Sequence, residues 1–389
     1  MKQKILYTII FMLLFPPFTI QAHNTVDLQP LEESVQAQLD ALDLGNLLRF
    51  AELLEREYQD FLPGLNWRDL LSKDNRTSPG ELLQLLISNF LRELYLNVHF
   101  LRQLIVLGIL ASLLQRLSAS FGTKSMVNLA FGVCFLIFIV VGLQSFQIIL
   151  ALATATVDKM VSFMQAILPM LSTLLMAVGG ITSATIFHPI LWGLVGGIAN
   201  LVHYLIFPLI LFSTVFRLVA HFTPDLPFSK LGDLIRQSVT TILSFFFIVF
   251  SGFMVVKGAI APVADGVTLR AAKYFTRTFI PIVGGVFADT VEVVVGGSLL
   301  IKNGIGVFGL VMLILILLTP VLKMLASIFI YKIVGVLLEP ICDFRMVEAL
   351  SIMESSLSLV LISLCAVTLM FLLCISILVG LGNLAVFLR

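Results

Sequence analysis

The stretch GIGVFGLVMLILILLTPVLKMLASIFIY, Gly304–Tyr331, decides the fold class. Its 28 residues carry one charge, Lys323, and one proline, Pro320. A helix needs about 20 apolar residues to cross the hydrocarbon of a bilayer, and this run exceeds that. Working outward, the runs 126–153, 160–181, 189–216, 238–262 and 357–387 are of the same kind. Two further segments are weaker: 98–117 holds Arg102 and Arg116, and 279–302 holds Asp289 and Glu292. The expectation is an all-α, polytopic membrane protein of about seven spans, within a range of six to eight.

The chain start is different. Lys2 and Lys4 precede the apolar run Ile5–Phe15, Pro16-Pro17 breaks it, and Ile20-Gln21-Ala22 leads to His23. A basic n-region, a short apolar stretch and a small residue describe a secretory signal peptide over 1–22, cleaved after Ala22. Residues 23–97 are then exported and 98–389 form the multi-span domain.

Charge supports this division. The 389 residues are 59% hydrophobic and only 12% charged, about half the charge of a soluble domain. Residues 23–97 hold 13 acids and 6 bases, and 98–389 hold 10 acids and 16 bases. An acidic exported segment ahead of a basic membrane part fits the bias of Lys and Arg toward the cytoplasm. Nothing in the split favours nucleic acid. Loop counting does not fix the topology, because Arg217, Lys230 and Arg236 compete with Arg270, Lys273 and Arg277. Of the four cysteines, Cys134, Cys365 and Cys374 lie in apolar runs and Cys342 follows Glu339-Pro340, a pattern matching no disulfide, zinc or CxxC arrangement.

The exported segment has helical periodicity. Leu28, Leu31, Val35, Leu39 and Leu42 recur at three- and four-residue steps, and Pro63-Gly64 ends the pattern. Ser78-Pro79-Gly80-Glu81 has a capping residue, proline at the first helical position and a returning glutamate. About 75 residues is small for an independent core, so the segment is expected to cap the membrane domain or a partner.

Matches at an offset of 112 residues suggest an internal repeat. Val195, Gly197, Leu201, Leu205 and Pro208 align with Val307, Gly309, Leu313, Leu317 and Pro320. The copies would be about 126–237 and 238–356, followed by a final span over 357–387. Three segments per copy would invert one copy relative to the other, as in many transporters. Prolines recurring in long membrane helices account for the same matches.

Three constellations carry polar chemistry. Arg270, Lys273 and Arg277 follow Asp265 at helical spacing, which suits an acidic partner or an aqueous route; an interfacial helix touching lipid headgroups explains them equally. Asp289 and Glu292 lie one turn apart between Gly284-Gly285 and Gly296-Gly297. Carboxylates at membrane depth face a cavity or partner, so these two are candidates for a solute path, with Lys257 and Lys323 as counter-charges. A segment lying at the interface would instead leave the acids in water, and lysines near span ends commonly snorkel. Phe187-His188-Pro189-Ile190 fits a turn at headgroup level, since no carboxylate lies near His188 in sequence. No nucleophile elbow, P-loop, HExxH or Ser/Lys dyad has a supporting context. No enzyme activity, metal or cofactor is expected.

Several stretches resemble the stage III sporulation protein AE family of endospore-forming bacteria. They are Phe187-His188-Pro189, the block from Ala264-Asp265-Gly266-Val267-Thr268-Leu269-Arg270 through Phe279-Ile280-Pro281 to Leu299-Leu300-Ile301-Lys302-Asn303, Phe329-Ile330-Tyr331-Lys332, and Gly382-Asn383-Leu384. The resemblance implies a polytopic subunit of the channel complex joining mother cell and forespore, set in the mother-cell membrane around the forespore. It implies partners: other stage III sporulation membrane proteins that form rings, a cytoplasmic secretion-type ATPase and a forespore partner protein. It also implies support of late forespore gene expression and development. No catalytic residues come with it. A scaffold that gathers rings and ATPase without lining a path is the alternative.

Overall fold

A computed structural model of the chain describes residues 79–120, 124–222, 228–279 and 284–387, with Arg49 and Glu52 as isolated helical positions. The expected signal peptide, its cleavage site and most of the segment 23–97 lie outside the described residues. All described elements are helical: α1 Pro79–Leu96, α2 Val98–Ser120, α3 Lys124–Ala177, α4 Ile181–Leu201, a π-helical turn Val202–Ile206, α5 Phe207–Phe222, α6 Phe228–Phe279, α7 Gly284–Leu338 and α8 Phe344–Phe387.

Among the described residues, six helical segments are long and apolar enough to cross a membrane: Val98–Arg116, Phe131–Ala177, Ile181–Ala220, Phe228–Ala261, Val293–Leu338 and Phe344–Asn383. The protein is a polytopic all-α membrane protein. The segment 98–117 qualifies despite its arginines. Elsewhere the hydropathy gaps mislead. Runs 126–153 and 160–181 are one helix, α3, and 279–302 largely joins 304–331 in α7. Polar residues such as Asp158-Lys159 lower hydropathy but leave the backbone ladder intact. Only missing donors, caps or positive φ end a helix. The prolines Pro169 and Pro320 lie within α3 and α7, as membrane helices tolerate.

Gly179 shows what does end one. Its φ of 95° lets its N–H reach the Met176 carbonyl at 2.9 Å while the Gly180 N–H reaches Leu175 at 2.9 Å. This is a Schellman cap, and it reverses the chain into α4. In the first offset copy the chain therefore turns after its second hydrophobic segment. In the second copy α6 holds the first segment and α7 runs through most of the second and the third.

The core lies where α3, α7 and α8 meet. Phe135, Phe138, Phe146, Met160 and Phe163 of α3 are buried with Met312, Ile316 and Tyr331 of α7 and Leu357, Val367 and Phe371 of α8. Tyr331 is fully buried, and its hydroxyl donates to the Gly142 carbonyl at 2.9 Å, so the one polar atom brought in by this side chain is satisfied. Gly142 leaves room for Met353, which a Cβ there would overlap. Side chains added at Gly306 and Gly309 of α7 would overlap Val379 of α8 and Ile167 of α3 respectively. Helix α7 packs closely on both neighbours because those side chains are missing.

The turn between α7 and α8 docks on α2. Ser112 donates to the Ile341 carbonyl at 2.6 Å, Gln115 to Asp343 at 2.9 Å, and the Cys342 thiol to the Gly108 carbonyl at 3.2 Å. Asp343 also accepts from the Arg345 N–H at 2.9 Å and caps α8. Helix α1 begins at Pro79, the expected first helical position, and lies on α7 through Phe90 and Phe329, ring centroids 6.0 Å apart. Its Leu83, Ile87 and Leu91, one turn apart, are exposed.

Candidate functional site

The apolar body encloses several polar groups, and these are where chemistry could happen. The first is Asp265, on α6, 1% exposed. Its carboxylate accepts from the Ser183 N–H at 3.1 Å and from the Ser183 hydroxyl. Ser183 lies in the first turn of α4, which starts at Ile181 after Gly180, and Gly180 makes no side-chain cap. Asp265 therefore caps α4 from a neighbouring helix, meeting both an orphan donor and the positive end of the helix dipole. The sequence reading placed Asp265 only at the head of a basic run. Its partner lies 82 residues away, and no local spacing signals that.

The second is Lys302, on α7, fully buried. Its Nζ has no hydrogen-bond partner among the described residues. It fills the space a Cβ on Gly382 of α8 would need. The Lys302-Asn303 and Gly382-Asn383 stretches, far apart in sequence, thus meet across the α7–α8 seam.

The third is an ionisable pair on the outside of the bundle. His203 Nδ1 lies 3.9 Å from Asp158 Oδ1, with side chains 40% and 61% exposed. Both lie near the middle of their apolar segments, Asp158 in Phe131–Ala177 and His203 in Ile181–Ala220. His203 belongs to the π-helical turn, where the Phe207 N–H donates five residues back to Val202. Pro208 explains the turn: it has no N–H, and its ring would press on the carbonyl four residues back, so the coil widens just before it. Sequence spacing does not signal this pair, whose members lie 45 residues apart on different helices. His188 is not in a turn, since α4 runs through Pro189. Its Nδ1 lies 3.2 Å from the Ser172 hydroxyl.

On α5, Arg217 Nε pairs with Asp233 at 3.0 Å and Arg217 Nη1 reaches Ser355 at 3.3 Å. These contacts tie α5 to α6 and α8 where Ser213 donates to the Gly232 carbonyl at 2.7 Å.

Of the residues singled out in sequence, Arg270, Lys273 and Arg277 lie within α6, so their spacing is a helical spacing. Asp289 and Glu292 lie in the first turns of α7. All five side chains fall outside the described ones. Lys257 is exposed on α6, with Nζ 6.0 Å from the centroid of the Phe253 ring. Lys323 lies within α7, half-buried. Among the described residues, no group of three or more His, Cys, Asp or Glu could hold a metal.

A family model described as stage III sporulation protein AE matches residues 66–382. A relative of that name from Bacillus subtilis (strain 168) is 32% identical over 364 residues, covering 93% of this chain and 90% of the relative. No solved structure matches the chain.

Proposed function

Because the chain belongs to the stage III sporulation protein AE family, we propose that it is a non-enzymatic membrane subunit of the channel complex between mother cell and forespore. In this reading it sits in the mother-cell membrane around the forespore, with residues 23–97 outside the cytoplasm after cleavage behind Ala22. Ring-forming stage III membrane proteins, a cytoplasmic secretion-type ATPase and a forespore protein are its partners, and the complex supports late forespore development.

The observation that carries a transport role is the Asp158–His203 pair, exposed at mid-segment on two long apolar helices. Within the hydrocarbon, a carboxylate facing lipid costs about 2.5–3.5 kcal/mol or more at the bilayer centre. The pair therefore faces water or a neighbouring subunit in the working complex. Asp289 and Glu292 are the second element of the proposed path. The scaffold reading draws on a different observation, the exposed Leu83, Ile87 and Leu91 stripe of α1, which offers a helical docking face.

Spore yield and protein abundance, measured together in a sporulating host, test the proposal. Asp158→Asn, and separately Asp289→Asn with Glu292→Gln, should lower spore yield at unchanged abundance. Normal yield from both variants would remove the path-lining role and leave the scaffold.

A further inference from the structure

An apolar groove of 520 Å³ opens on the outside of the bundle between α4, α6 and α8. Gly193, Gly197 and Leu201 line it on α4, Phe246 and Phe253 on α6, and Met370 on α8. It is deep because α4 withholds side chains: a Cβ added at Gly193 or Gly197 would meet nothing within 4 Å. Every lining residue lies inside an apolar segment long enough to span. The groove runs along α4 from Ile190 to Leu201, about 17 Å at 1.5 Å per residue, close to half of a hydrocarbon core of about 30 Å. That is the depth of one leaflet.

One end of the groove is marked by charge. Lys257 lies one helical turn beyond Phe253, with its ammonium 6.0 Å from that ring's centroid. The antiparallel register set by Ser183 and Asp265 brings α4 near residue 192 to this level, and Trp192 there is exposed. Tryptophan and lysine are the residues that mark the headgroup level of a bilayer. An apolar slot of one-leaflet length, ending at a cation, is complementary to one molecule type: an acyl chain below a negatively charged phosphate.

We propose that this groove holds one acyl chain of an anionic phospholipid, whose phosphate is met by Lys257. A bare slot would forfeit the dispersion contacts of its walls, and the chain restores them. The site is independent of the transport reading, because it requires only that α4, α6 and α8 be membrane-embedded.

The test uses the full chain purified in detergent and supplemented with phosphatidylglycerol or phosphatidylcholine, with bound lipid counted by native mass spectrometry. Phosphatidylglycerol should be retained at least several-fold over phosphatidylcholine. Lys257→Gln should remove that preference, and Lys257→Arg should keep it. Gly193→Leu with Gly197→Leu, whose new side chains point into open space, should fold normally and lower retention of both lipids. Equal retention of the two lipids by the unaltered chain, or a preference that survives Lys257→Gln, would overturn the proposal. Cross-linking of a photoreactive residue at position 197 to a protein rather than to lipid would assign the groove to a partner helix and also overturn it.

Discussion

Glycine is used in opposite ways on two faces of this bundle. Where α7 meets α8 and α3, Gly306, Gly309 and Gly382 are each covered by a neighbour: Val379, Ile167 and Lys302 occupy the volume a side chain would take. On α4, Gly193, Gly196 and Gly197 look onto nothing within 4 Å. The first set brings three helices together. The second set holds a space open. Composition cannot distinguish them, because GIGVFG in α7 and GLVGG in α4 are equally plausible as packing motifs. What differs is the presence of an opposing helix, so a small-residue pattern has meaning only with its partner in place.

The sharpest way to break this contrast is to add the same side chain on both faces. Gly306→Leu places its branches in the position of Val379, in an interior with little slack. Overpacking of this kind costs roughly 1–3 kcal/mol, occasionally more. The variant should lose most of its folded, membrane-extracted yield, whereas Gly197→Leu should leave yield and melting temperature near normal. Size-exclusion profiles and thermal melts in detergent measure both. Equal damage at the two positions would show that the α4 face is also packed against something.

Asp265 gives a smaller effect. Where α4 meets α6, the buried carboxylate of Asp265 and the Ser183 backbone do what the glycines do on the seam. Asp265→Ala leaves a buried N–H and hydroxyl without an acceptor, a loss of about 1–3 kcal/mol. Asp265→Asn retains one acceptor oxygen and should melt between the alanine variant and the unaltered chain. If alanine and asparagine are equally mild, the cap is not holding the two helices.

The least disruptive test concerns the turn docked on α2. Burial pushes the Cys342 thiol up from its ordinary value, with Asp343 adding to the shift and Arg116 opposing it. A raised thiol pKa means little thiolate at neutral pH, and the thiolate is the reactive form. Maleimide labelling of Cys342 should be slow at pH 7 and accelerate as pH rises beyond the usual thiol range. Replacing Gly108 with a larger residue, which would press on Leu338 and Cys342, should undock the turn and speed labelling at pH 7. Fast labelling of the unaltered chain would mean that the turn does not rest on α2.

These contrasts show which features sequence could supply. Membrane class was legible from runs such as Gly304–Tyr331, since length and apolarity are properties of a single segment. The helix Pro79–Leu96 was legible because its apolar spacing and the proline at its head are local signals. Helix continuity through Asp158-Lys159 was missed because hydropathy was taken as a proxy for backbone continuity, although a charged pair breaks no ladder bond. The pairs Ser183–Asp265, Asp158–His203 and Lys302–Gly382 were not legible at all. Each joins residues on different helices, and no periodicity within one helix encodes its neighbour. Lys302-Asn303 and Gly382-Asn383 could be picked out as distinctive, but not as adjacent.

The widened turn at Val202–Ile206 has a consequence for the phase of the chain. An α-helix advances 100° per residue, and the bond from Phe207 to Val202 spans five residues instead of four. The turn therefore stores one surplus residue, and α5 is clocked one position out of step with α4. Tightening the coil to ordinary pitch would swing everything downstream by about 100°, carrying Arg217 off Asp233 and Ser355 while His203 turned away from Asp158. Deleting a single residue between 202 and 206 would remove the surplus, so that an ordinary coil could hold α5 in its present orientation. The Asp158–His203 contact and the Arg217 contacts are geared together by one extra peptide unit.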